Sequence, residues 1–214
     1  MTAAERQRLY AFFARLWVKE LDGPFLELLD GPLGRELLPR FHEDEAALLR
    51  DADQRVATFD ADFVHLTVVN LTPYESFFRR DDAMLEAGAV NPVASWLNQY
   101  ALEVDLAQAR ALAPDHLGLE LEVMAVLCAK EAEALEAGNT PAVGAVRQVQ
   151  REFLDEHLLT WAPLYLFAAR RNARTLLYRE GAEATLQYLF TDLEQVTQVP
   201  PSPRGGEGRG EGKP

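Results

Sequence analysis

Apolar residues recur every three or four positions through most of this chain, and that period confines it to helices. Leu9, Phe12, Phe13, Leu16 and Trp17 make one stripe near the N-terminus, and Leu49, Val56, Phe59, Phe63 and Leu66 keep the period between Asp44 and about Val69. Leu117, Leu121, Met124, Cys128 and Leu135 line one face of a long helix starting near Asp115. No segment shows the convincing alternation of a half-buried strand. Start and stop signals punctuate the stripes. Thr2 and Glu5 have the spacing of a capping box, in which the threonine side chain meets the Glu5 amide and the glutamate reaches back. Pro24 and Pro32 suit the first turns of short helices, Asn91-Pro92 and Thr140-Pro141 open later ones, and Gly138 ends the long helix. The helix from Thr140 is expected to run to about His157. Trp161-Ala-Pro163 should then interrupt it at a packed corner, and two further helices carry the chain to about Gln198.

Two irregular stretches, 70–81 and 112–115, divide the chain into roughly equal halves. The expectation is an all-α, multi-helix bundle in two lobes, roughly 1–112 and 113–198, joined near Pro114-Asp115-His116. The stretch 199–214 has no apolar residue after Val199 and cannot repay the entropy of ordering, so a disordered tail is expected there.

Bulk properties narrow the function. The net charge of −13 opposes nucleic-acid binding, which draws its affinity from lysine and arginine on phosphates, and opposes docking on anionic lipid. Acidity serves solubility, or it complements a basic partner. No apolar run approaches the ~20 residues of a membrane span, and the most apolar, Leu158–Ala169, is broken by Thr160 and Pro163. The N-terminus carries charges among its apolar residues and lacks a secretory core and cleavage site, so a cytoplasmic location is expected. Cys128, the only cysteine, excludes an internal disulfide and any four-cysteine metal site.

Motif chemistry is sparse. There is no Gly-rich phosphate loop, HExxH or GxSxG. Asp62-x-x-His65 is a single degenerate di-iron element, and His65 is read as a surface or packing residue. Adjacent helical residues point apart, so His42-Glu-Asp-Glu45 is read as a solvated helix start rather than a metal cluster. Cys128 on an apolar face reads as a buried hydrophobe. No metal or cofactor is expected.

Three segments stand out. In the first, Pro114 precedes Asp115, placed to cap the long helix; His116 sits in its first turn, where the positive helix end disfavours protonation, and Glu120 lies within reach of it on one face. In the second, Tyr74, Glu75, Ser76, Phe77 and Phe78 follow Pro73 in a loop or bend, and rings beside an acid could grip a peptide with arginine and apolar residues. The third is Phe153 to Pro163. Each also has a plain reading: a well-capped helix start, rings that plug the core, and a packed corner.

In this order the segments resemble the TorD/DmsD family of redox-enzyme maturation chaperones. The likeness is carried by Pro73-Tyr74-Glu75-Ser76, by Pro114-Asp115-His116 with Leu117, Glu120, Leu121 and Met124, and by Phe153, His157 and Trp161, and it spans roughly residues 5 to 195. Ala113 stands where many relatives carry an acid, and Tyr74 where close relatives often have tryptophan. The resemblance implies a non-enzymatic chaperone that binds the twin-arginine signal peptide of a molybdopterin-dependent oxidoreductase precursor before export. It places Asp115 and His116 near a lobe junction, with Tyr74 to Ser76, Trp96 and Tyr100 bordering the same groove. It implies a monomer or a lobe-swapped dimer. Three alternatives stand beside it: a nitrate-reductase-type assembly chaperone with a non-exported client, a generic helical scaffold, and a metal- or nucleotide-dependent enzyme using Asp115, His116 and Glu120.

Overall fold

The Thr2–Glu5 capping box closes, with the Glu5 amide donating to Thr2 Oγ1 at 3.1 Å and the Thr2 amide to Glu5 Oε2 at 2.7 Å, and helix α1 (Ala3–Val18) starts there. The computed structural model describes residues 1–46, 51–86 and 88–197. Leu49 and the 199–214 tail lie outside the described residues. Asp22 caps α2 (Gly23–Asp30), and Pro32 opens α3 (Pro32–Leu37). A widened π-type turn over 41–46 precedes α4 (Ala52–Val64), and a second one over 65–70 follows it. Three short helices come next: α5 (Glu75–Arg79), α6 (Pro92–Gln99), capped by Asn91 as its sequence predicts, and α7 (Leu106–Ala109). The second half holds α8 (Leu117–Glu136), α9 (Thr140–Phe153), α10 (Leu159–Asn172) and α11 (Leu176–Thr197).

The result is an all-α bundle whose two halves are tied by long-range helix contacts. Helix α1, first in sequence, packs along α8 and against α11. Its Tyr10, Phe12, Phe13, Leu16 and Trp17 are fully buried in one hydrophobic core that also takes Leu117, Leu121, Met124 and Cys128 from α8, and Tyr165, Tyr178 and Leu189 from the last two helices. Gly118 permits the α1–α8 approach, because a Cβ there would sit 2.7 Å from the Val18 Cα. Polar groups pin the same junction. Arg6, 1 % exposed, is held by Asp192 of α11, donates to Glu131 of α8 at 2.6 Å and to Gln150 of α9 at 2.8 Å. Tyr10 also donates to Asp192, and Arg147 to Glu131, so two arginines balance two carboxylates.

Several sequence expectations are corrected. Leu135 shares the apolar face of α8 but is half exposed near the end of that helix, unlike Leu117, Leu121, Met124 and Cys128. Pro163 does not break its helix: α10 runs through it, and a widened turn at 154–158 lies just ahead, where the backbone can yield to the proline ring. The acids at 43–45 are not all solvated, since Glu45 Oε2 accepts from the Leu177 amide at 3.0 Å and so caps α11. The reading of His65 as a surface or packing residue is not among these: half-buried His65 meets Asn70, and buried Asp62 turns to Thr175, its Oδ2 accepting from the Thr175 amide and hydroxyl at 2.8 and 2.7 Å. Among the described residues no helix is long and apolar enough to cross a membrane.

Candidate functional site

Pro73 keeps the chain extended before α5, and this stretch meets the segment before α8 as a single antiparallel pairing of Tyr74 with His116. The Glu75 amide donates to the Asp115 carbonyl at 3.0 Å and the Leu117 amide to the Pro73 carbonyl at 2.9 Å. The two segments singled out in the sequence are thus bonded to each other. Tyr74 packs edge-on against His116 at 5.0 Å, and its hydroxyl accepts from the Leu112 amide at 3.0 Å. Pro114 is buried beside them.

The roles differ from those read in the sequence. Asp115 does not cap α8. Its Oδ2 accepts from the Ser76 amide at 2.8 Å, capping α5 across the junction instead. His116 caps α8, with Nδ1 accepting from the Gly118 amide at 3.1 Å. Burial, rather than the helix end, pushes its pKa down to about 4, so the ring is neutral as its acceptor role requires. Glu120 does not pair with His116. Its Oε2 accepts from the Trp161 indole at 3.2 Å.

Three fully buried carboxylates gather here: Glu75, Asp115 and Glu120. Glu75 is held by Arg79 one turn on and, at 2.9 Å, by Nδ1 of His157, where the imidazole donates. Asp115 Oδ1 and Glu120 Oε1 are buried without a hydrogen-bond partner. Burial first, then the charge of Glu75, raises the Glu120 carboxyl well above the usual carboxylate range; the Trp161 indole opposes this, the Asp115 charge adds to it, and Arg79 opposes it.

Rings border the cluster. Trp96 stacks near Tyr100 and Phe153, each at 4.5 Å, and lies 6.2 Å from His157. Trp96 and Tyr100 therefore join the site through His157, and the Tyr100 hydroxyl donates to Glu152 at 2.9 Å. Phe78 turns inward onto Trp161 at 5.5 Å, the core-plugging role, while half-buried Phe77 touches Phe78. Ser76 Oγ accepts from the Glu86 amide at 3.1 Å and so anchors the loop after α5. Arg79 and His157 were not singled out as binding residues in the sequence. The four-residue spacing of Glu75 and Arg79 was the one local signal for Arg79, while His157 had entered only among the residues that carry the resemblance.

Among the described residues no group of three or more His, Cys, Asp or Glu side chains is arranged to hold a metal ion. A cavity of about 450 Å³ lies elsewhere, between α1, α7 and α8, floored by Ala11, Ala14, Ala125 and Ala129.

A family model described as the nitrate reductase delta subunit matches residues 19–166. The chain is 28 % identical over 216 residues to the chaperone protein TorD of Aeromonas salmonicida, covering 94 % of this chain and 95 % of that protein. It is 28 % identical over 109 residues to the perchlorate reductase assembly chaperone protein of Dechloromonas aromatica, covering 51 % of this chain and 47 % of that one. No solved structure matches the chain.

Proposed function

Because the chain belongs to the nitrate reductase delta subunit family of TorD-like redox-enzyme maturation chaperones, we propose that it binds the twin-arginine signal peptide of a molybdopterin-dependent oxidoreductase precursor. On this reading it works in the cytoplasm, as an assembly chaperone rather than an enzyme, and holds the precursor until its cofactor is inserted. The observation that carries the reading is the buried carboxylate cluster at the junction of the two halves, with one Asp115 oxygen unpartnered. A buried acceptor without a donor is costly, and an incoming guanidinium would satisfy it. The half-buried rings of Phe77 and Tyr100, the latter backed by buried Trp96, offer apolar area for the stretch that follows the arginines. The net charge of −13 favours approach of a basic leader.

Calorimetric titration with such a leader at low ionic strength tests the proposal. Micromolar or tighter binding, weakening as salt rises, is expected. A leader with both arginines changed to alanine should bind less, and equal binding removes the electrostatic contact. Asp115→Ala combined with His116→Ala should lower affinity while helical circular dichroism persists; unfolding of that variant would make the pair structural.

The description of the matched family favours a second reading, in which the client is a nitrate-reductase-type enzyme that is not exported. Co-purification with a client precursor lacking its leader separates the two, because only the second reading predicts retention.

A further inference from the structure

Glu75 is fully buried, yet the guanidinium that holds it belongs to Arg79, whose side chain is 45 % exposed. Among the described residues the Arg79 guanidinium makes its hydrogen bonds through Nη1 alone, to Glu75 Oε1 and, at 3.0 Å, to the carbonyl of Glu156. This grip is monodentate, where an arginine and a carboxylate can form a two-armed fork. It is also a contact between residues four apart on a five-residue helix, with its arginine end reaching into water. The carboxylate beneath is firmly positioned, because His157 fixes its other oxygen and Phe153, 5.0 Å from the imidazole, fixes the imidazole. A rigid buried acceptor is thus covered by a solvent-facing guanidinium that grips it through one nitrogen. The unpartnered oxygens of Asp115 and Glu120 belong to the same cluster.

We propose that Glu75 is a receptor for an arginine side chain of a guest peptide, and that Arg79 is a resident stand-in that the guest displaces. The inference rests on the peptide-binding reading above and adds the identity of the receiving carboxylate. The exchange is feasible because one guanidinium replaces another. Glu75 has a cation beside it before and after the exchange, and the open state in between keeps its His157 hydrogen bond. Displaced Arg79 moves into water, where it is well solvated. Apparent affinity then depends on the fraction of molecules in which Arg79 has swung away, so removing Arg79 should strengthen binding rather than weaken it.

Arginyl-arginine amide, with lysyl-lysine amide as control, is titrated into wild-type protein and the Arg79→Gln variant by calorimetry at low ionic strength. Arg79→Gln should bind the arginine probe on the order of tenfold tighter, the gain expected if Arg79 covers the site about nine-tenths of the time. Equal or weaker binding, including none detectable by either protein, overturns the proposal. Should the variant fail to fold, the wild-type Arg79 side-chain Nε resonance decides: it should move to its free value as the probe saturates, and a stationary signal is contrary. If the dipeptide behaves as expected but no full leader binds, the guanidinium receptor stands and the signal-peptide reading fails. If a leader binds and Arg79→Gln leaves both affinities unchanged, the reverse holds.

Discussion

His116 and Glu120 are both kept neutral by burial, but they load stability onto opposite ends of the pH scale. The His116 pKa falls from 6.5 to about 4 on folding, so the unfolded chain binds a proton there that the folded one does not. Stability should therefore drop as pH falls from 6.5 toward 4, by up to about 3 kcal/mol from this residue. His116→Asn keeps an acceptor for the Gly118 amide and removes the titration. Urea unfolding across that range should show a flatter acid limb in the variant. Glu120 has a raised pKa, so here the folded chain holds the proton. Its contribution falls as pH rises above the ordinary carboxylate range, until the buried group itself ionises. Glu120→Gln retains a carbonyl for the Trp161 indole, and its stability relative to wild type should be greater at pH 8 than at pH 5. An unchanged difference would mean that Glu120 is already charged in the folded protein.

At the scale of elements, the α1–α8 contact depends on a missing side chain. Gly118→Ala would drive a Cβ to 2.7 Å from the Val18 Cα, which is backbone and cannot rotate away. A loss of about 1–3 kcal/mol is expected, read by chemical denaturation. Gly181→Ala would meet only the Leu16 Cδ2 at 2.6 Å, and a flexible leucine end can move, so it should cost less. These two positions also mark the limit of what the sequence makes legible. The Thr2–Glu5 box, the Asn91 cap and the stop at Gly138 are readable because each is settled within four residues. The element order and the all-helical class follow from such local signals. Glu45 and Asp115 look like local acids of their own segments but cap helices 132 and 39 residues away. Nothing in the spacing announces that, because the pairing is made by the fold. The same holds for the site: Tyr74, Asp115 and His116 were readable as candidates, whereas the link from Glu75 through His157 to Trp96 arises only once α10 lies beside α5.

Across the whole molecule, Arg6 is the polar centre that joins α1, α8, α9 and α11. Arg6→Ala removes the guanidinium between Asp192 and Glu131, both at most 1 % exposed. Breaking a buried pair from one side typically costs about 3–5 kcal/mol, and a fall in thermal midpoint of many degrees is expected. Arg147, 31 % exposed, holds Glu131 from outside, and Arg147→Ala should cost about 1 kcal/mol or less. If both variants melt alike, the network is not centred on Arg6. The place of α1 also bears on how the protein is made. Its aromatic face leaves the ribosome well before α11, which buries part of that face and begins at Leu176. At bacterial-to-eukaryotic synthesis speeds of about 5–20 residues per second, Phe12, Phe13 and Trp17 wait roughly ten to thirty seconds for their last partners. Truncation before α11 should therefore yield aggregates rather than a smaller soluble bundle, read by light scattering.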